Sequence, residues 1–142
     1  MECDPTRMCE LLVGLPDVTV LAVIDTPGET LHVAIETRVA RPSCASCSGV
    51  VVIKDRPMVE LVDLPCFGRS VRLVRRKRRW ACPNATWTTG SWTEDVPVIA
   101  AARLVMTGRA GRWVTEQVGR HGRTVNEVAG ELGCDCTRST TP

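Results

Sequence analysis

The chain predicts an α+β fold in which a small antiparallel β domain, pinned by cysteines, is followed by a short helical segment. Three observations predict it. Short β-branched runs separated by turn residues fill the first half of the chain, and Cys44 and Cys47 form a Cys-x-x-Cys that a basic stretch joins to Cys82. Near residue 95 the apolar pattern changes to helical spacing. With 142 residues and 44% apolar composition, the chain can build one domain, or two small ones, around a modest core.

Residues 9–15 are apolar enough for one or two helical turns, which Gly14 and Pro16 stop. Residues 18–24 and 31–36 read as two strands of a hairpin. The Asp25-Thr26-Pro27-Gly28 between them carries the residues a turn requires: Pro presets φ and Gly tolerates positive φ. A cysteine knuckle over 42–49 comes next, then the strand Val50-Val51-Val52-Ile53, the turn Lys54-Asp55-Arg56-Pro57, and a strand over 58–61. Beyond Asp63-Leu64-Pro65 and the turn at Gly68, residues 70–76 alternate, with Val71, Leu73 and Arg75 on one face and Arg72 and Val74 on the other. Residues 78–82 continue as a strand into Cys82. A small antiparallel sheet held by metal at one end is the zinc-ribbon answer to a scarce core, so residues 10–95 are expected to form a zinc-ribbon-like β domain.

Asp95-Val96-Pro97 can start a helix, and Val98, Ala101, Ala102, Val105 and Met106 recur at helical spacing up to Gly108. A second helix is expected over 112–120, ending at Gly122. Thr124 with Glu127 makes a capping box for a third, whose apolar face is Val125, Val128, Ala129 and Leu132 and whose stop is Gly133. The last two helices have the spacing and turn of the first two of a helix-turn-helix. Residues 134–142 are too few and too poor in helix formers to supply the recognition helix that should follow. Residues 96–133 therefore read as an incomplete helix-turn-helix and 134–142 as a disordered tail.

Eight cysteines suggest either a disulfide framework or metal chemistry. The start of the chain lacks the basic and apolar regions of a signal peptide, and no apolar run approaches the ~18 residues needed to span a bilayer. A reducing cytoplasm is the expected location, and no membrane and no small-molecule substrate are expected as partners. There a Cys-x-x-Cys holds metal or does redox work. The redox reading wants a helix N-terminus beside the thiols, and here strands flank them. Zinc prefers four soft or borderline ligands, for which Cys44, Cys47 and Cys82 are the candidates. Cys66 or a water is left for the fourth position. Buried thiols without metal are the plain alternative.

Residues 1–63 carry 5 basic and 10 acidic side chains, and residues 64–142 carry 13 basic and 6 acidic, so the second half is the one suited to a polyanion. Arg69, Arg72, Arg75, Arg76, Lys77, Arg78 and Arg79 place seven cations in eleven residues with no carboxylate among them. Displacing their counterions, and those of DNA phosphates, is a source of nucleic-acid affinity. A solvated face is the competing reading. Arg109, Arg112, Arg120 and Arg123 add candidate phosphate contacts from the helices. Trp80, Trp87 and Trp92 offer rings for base stacking, although packing around the sheet is the commoner use.

The Cys-x-x-Cys, Asp63-Leu64-Pro65, the Arg78-Arg79-Trp80-x-Cys82-Pro83 strand, Gly90-Ser91-Trp92-Thr93-Glu94 and the run from Thr124-Val125-Asn126-Glu127 to Gly133-Cys134-Asp135 resemble, in order and spacing, the N-terminal region of the ISL-three family of bacterial insertion-sequence transposases. The resemblance covers roughly residues 10–135. It implies a zinc finger followed by a helix-turn-helix, both binding transposon terminal repeats, with an acidic-triad domain downstream that cuts and joins DNA during transposition. This sequence has Trp87 where the family's fourth cysteine is expected and Ser48 where a glycine is usual, and it diverges after Asp135 as a truncated copy would. The expectation is a zinc-dependent DNA-binding fragment with no enzymatic activity. The alternatives are an inert remnant, or an interaction module that uses the face of Val125, Val128 and Leu132 to pair with itself or with a full-length transposase.

Overall fold

The computed structural model describes residues 4–45, 47–83, 90–100 and 105–134. Its elements are α1 (Pro5–Val13), β1 (Val18–Ile24), β2 (Leu31–Thr37), β3 (Val52–Asp55), β4 (Met58–Cys66), β5 (Arg69–Arg76), β6 (Arg79–Ala81), β7 (Ser91–Thr93), α2 (Gly108–Gly119) and α3 (Val125–Glu131). The fold class is α+β. Gly14, at φ +68°, ends α1 where the sequence places its stop.

The strands divide between two sheets rather than forming one wholly antiparallel ribbon. The larger is mixed, in the order β1-β2-β5-β4, and the smaller is β3-β6-β7. β1 and β2 form the expected antiparallel hairpin, with a bulge between Val20 and Ala22. β2 and β5 lie side by side in parallel, Leu31 opposite Val71 and Glu36 opposite Arg76, and β4 closes on β5 in antiparallel register. The crossover between these two parallel strands runs from residue 38 to 68 and carries the cysteine knuckle, β3 and β4, so that β4 runs against both and its hairpin turn brings the chain back in the direction of β2.

Residues 96–100 and 105–106 correct the expected first helix, of which Ala101 and Ala102 lie outside the described residues. Among the described residues, 97–99 make a turn, and Val62 on β4 donates to the Val105 carbonyl and accepts from the Thr107 amide, so that Met106 forms a parallel bridge with Val62. The open edge of β4 supplied backbone partners that outcompeted helical spacing. Ile99 and Ala100 are buried in one cluster with Val18, Val20, Val33, Ile35, Leu61, Val71 and Leu73.

Thr107 caps α2. Its hydroxyl accepts from the Ala110 amide and donates to Asp63, which starts the helix four residues earlier than the sequence suggests. The Thr124–Glu127 capping box forms as read from the sequence. α3 ends in a Schellman turn: Gly133 takes φ +75°, its amide donates to Gly130 and the Cys134 amide donates to Ala129. Cys134 thus belongs to the helix end and not to the tail; residues 135–142 lie outside the described residues. Val128 and Leu132 are each 2% exposed, which removes them from the apolar face considered for self-association, and Val125 alone of the three remains exposed.

Candidate metal centre and cationic surface

The knuckle is shaped by its backbone. The Cys44 amide donates to the Gly49 carbonyl, the Ser48 amide donates to the Cys44 carbonyl, and Ser48 sits at φ +57°, the left-handed region that favours glycine. This turns Cys47 back toward Cys44. Ser43 pairs with Val50 behind the turn, and Val51 is fully buried. Cys82 reaches the same place from the end of β6, where its amide is bonded to the Gly90 carbonyl as β7 begins.

The three sulfurs lie within 4.8 Å of one another, and those of Cys47 and Cys82 are 3.6 Å apart. Zinc–sulfur bonds of about 2.3 Å in a tetrahedron place sulfurs about 3.8 Å apart, so the triad has the dimensions of three corners of a zinc site. Cys44, Val51 and Trp80 form its buried floor, flanked by Cys47, Ile53, Cys82 and Trp92. Trp80 is therefore a packing residue and presents no ring to a base, and Trp92 pairs beside it across β6 and β7. Cys66, weighed as a fourth ligand, packs instead against the larger core in a groove shared with Cys9, Leu12 and Phe67. Position 87 lies outside the described residues.

The basic run does not form one continuous ribbon facing solvent. Arg75 is 1% exposed, a correction to its assignment as a DNA contact. Strand alternation carries it inward with Val71 and Leu73. Its Nε and Nη2 have no hydrogen-bond partner among the described residues, and Nη2 stands 4.0 Å from Glu94. Burial pulls the Arg75 pKa below its ordinary value, against the attraction of Glu94 and Asp95.

Glu94 is already engaged. The backbone amide of Arg78 and the hydroxyl of Thr37 each donate to one carboxylate oxygen at 2.9 Å, and the Arg78 guanidinium donates to the other. Burial alone would raise the Glu94 pKa; the hydrogen bonds from Arg78 and Thr37 outweigh it and hold the carboxyl below its usual value. Arg78 also stacks 4.8 Å over the Trp80 ring, which ties this ion pair to the floor of the thiol site.

The remaining candidates divide by partner. Arg69 bonds Asp25 at 2.6 Å, Arg79 lies 3.9 Å from Asp55, and Arg123 bonds Glu131 at 2.7 Å while stacking on Trp113. Arg72 donates to the carbonyls of Leu132 and Gly133 and so fastens the end of α3 to β5. Arg109 bonds Asp63. Arg76, Lys77 and Arg112 make no ion pair among the described residues, and Arg76 and Arg112 are exposed. Arg76 and Lys77 occupy the corner between β5 and β6, and Arg112 lies on α2.

The residues missed by sequence reasoning are Asp63, Glu94, Thr37 and Thr107. Each is a buried polar group with a side-chain hydrogen bond to a residue at least 44 positions away: Thr37 with Glu94, and Asp63 with Thr107 and Arg109. No local pattern announces such a pairing.

No protein-family model, curated protein or solved structure matches this chain. No helix among the described residues is long and apolar enough to cross a membrane.

Proposed function

We propose that the chain is a zinc-stabilised DNA-binding module of the kind found at the front of ISL-three insertion-sequence transposases, gripping transposon-end DNA through phosphates. The observation that carries this reading is the convergence of Cys44, Cys47 and Cys82 over Trp80, at the foot of the hairpin that follows the Arg76-Lys77 corner. Zinc on the triad would replace the missing bulk of a small core by tying the knuckle to β6. The capped α2–α3 pair, with its turn around Gly122 at φ +66°, supports the helix-turn-helix part of the reading.

The contact set is smaller than the charge run suggests. Of the candidate contacts named from the sequence, Arg76, Lys77 and Arg112 are the described ones that need give up no ion pair to meet phosphate. Three phosphate contacts give a slope of log affinity against log salt of about −2.7, whereas ten would give about −9. The test is a mobility-shift titration on duplex DNA over a range of salt, paired with zinc content per chain for the protein and for Trp87→Cys. A shallow slope with zinc bound supports the reading. An absence of DNA binding at low salt, or a zinc content and melting temperature that do not respond to Trp87→Cys, counts against it.

A further inference from the structure

We propose that Cys44, Cys47 and Cys82 form a three-thiolate site for thiophilic ions that complete their shell with three sulfurs and a lone pair, trivalent arsenic being the representative. The proposal rests on the metal-site reading above and narrows what that site takes.

The donor inventory points this way. Zinc in a closed structural site takes four protein ligands. Among the described residues the triad gathers three sulfurs, and the apolar side chains packed with it are Val51, Ile53, Trp80 and Trp92. The residues joining Pro83 to Gly90 are Asn84, Ala85, Thr86, Trp87, Thr88 and Thr89, with no thiol, imidazole or carboxylate. Cys66 packs against the other core, and His32 lies 3.9 Å from Glu60 on the larger sheet. Three soft donors over an apolar floor suit a soft ion whose fourth vertex is its own electron pair.

Access and stoichiometry fit as well. Cys44 lies 2% exposed at the base, while Cys47 and Cys82 are half-buried and open to a small neutral molecule. Gly49 keeps the approach to Cys47 open, since a Cβ there would come within 3.2 Å of its sulfur. Arsenous acid, As(OH)3, would exchange its three hydroxides for three thiolates. Three As–O bonds break, three As–S bonds form, and each thiol proton leaves with a hydroxide as water. Arsenic stays trivalent, so no oxidant or reductant is needed.

The experiment titrates arsenite into the whole protein, zinc-loaded and zinc-free. Arsenic per chain is read by native mass spectrometry, the Trp80 and Trp92 environment by fluorescence, and released zinc by a chromophoric chelator. The expected result is one arsenic per chain, loss of zinc as arsenic enters, and the same behaviour in a Cys3→Ser/Cys136→Ser variant and in a Cys9→Ser/Cys66→Ser variant. Binding should be lost in Cys47→Ser and, separately, in Cys82→Ser, with circular dichroism confirming that each is folded. Arsenic that persists in both of these, or that disappears with Cys3 and Cys136, overturns the proposal. So does zinc held by four sulfurs against excess arsenite, a result that leaves the zinc reading standing. Binding of neither ion removes both readings together.

Discussion

Arg109 closes on both carboxylate oxygens of Asp63, Nε on one at 2.9 Å and Nη2 on the other at 2.6 Å, and so fastens the first turn of α2 to β4. The same guanidinium reaches the Val13 carbonyl at the end of α1, and Thr107 donates to Asp63 at 2.8 Å. One carboxylate thus holds two helices to the sheet. Replacing a single member of such a pair leaves the other charge poorly compensated, which costs about 3–5 kcal/mol when both are buried. Arg109 is partly exposed, so Asp63→Asn is expected at the lower end, about 3 kcal/mol, read by urea denaturation. A loss under about 1 kcal/mol contradicts this account.

Asp63 and Glu94 also set the response to acid. Burial acts to raise each pKa, but the combined bonds and charge of Arg109, the Leu64 backbone and Thr107 at Asp63, and of Arg78 and Thr37 at Glu94, outweigh it, so both folded values lie below the unfolded ones. Their contribution is complete above the ordinary carboxylate range and is lost as pH falls through that range toward the depressed folded values. Melting temperature should fall steeply on acidification in the native protein. In Asp63→Asn/Glu94→Gln it should start lower and fall less steeply, and parallel curves would contradict the assignment.

Arg75 invites a substitution that ought not to destabilise. Its guanidinium is desolvated, two of its nitrogens lack acceptors, and Glu94 already has Arg78 and Thr37. Replacing a whole buried ion pair by apolar side chains of similar volume is often neutral or stabilising by about 1–4 kcal/mol, and exchanging Arg75 alone approaches that case because Glu94 keeps its bonds from Arg78 and Thr37. Arg75→Met should therefore fall between no change and a gain of about 2 kcal/mol, while Glu94→Gln, which strands Arg75 and Arg78 together, should cost about 3 kcal/mol or more. A stability loss above about 1 kcal/mol in Arg75→Met would mean that the attraction of Glu94 exceeds the desolvation cost.

Arg75 also marks how far the sequence could be followed. Its alternation with Val71 and Leu73 places all three on one face, and the structure buries all three. Density of charge argued for solvent, and packing of the strand prevailed. The β1–β2 hairpin and the Thr124 capping box were legible because their determinants lie within a few residues of each other. The parallel pairing of β2 with β5 was not, since nothing in either strand records which neighbour arrives after a 31-residue interval. Cys44, Cys47 and Cys82 were legible because thiols have few other reasons to recur at that spacing. The partners that neutralise Arg69, Arg78, Arg79, Arg109 and Arg123 depend on tertiary placement, so the cationic face was overestimated.

The reduced contact set proposed above separates cations that sequence alone treats alike. Removing one phosphate contact lowers the salt slope by about 0.9. Arg76→Ala, Lys77→Ala and Arg112→Ala should each do so with little change in melting temperature, and Arg75→Met should leave the slope unaltered. A slope that responds to Arg75 as it does to Arg76 would require the strand to open on binding.

Gly133 tests how tightly α3 is seated. Its φ of +75° is strained for any L side chain, and a Cβ there would lie 2.7 Å from both the Cβ and Oγ of Ser70. Neither obstacle is relieved by rotating a long side chain, because the Ser70 Cβ is fixed by β5 and its hydroxyl is engaged with Thr30 at 2.7 Å. Moving α3 away instead would break the bonds from Arg72 to the Leu132 and Gly133 carbonyls. Gly133→Ala should therefore cost more than the roughly 1 kcal/mol of a left-handed alanine in an open turn, reaching about 2–3 kcal/mol with the overpacking included. Gly122→Ala is the control: it shares the positive φ, at +66°, but a Cβ there meets nothing within 4 Å. If the two variants melt alike, α3 is not held against β5 by this contact.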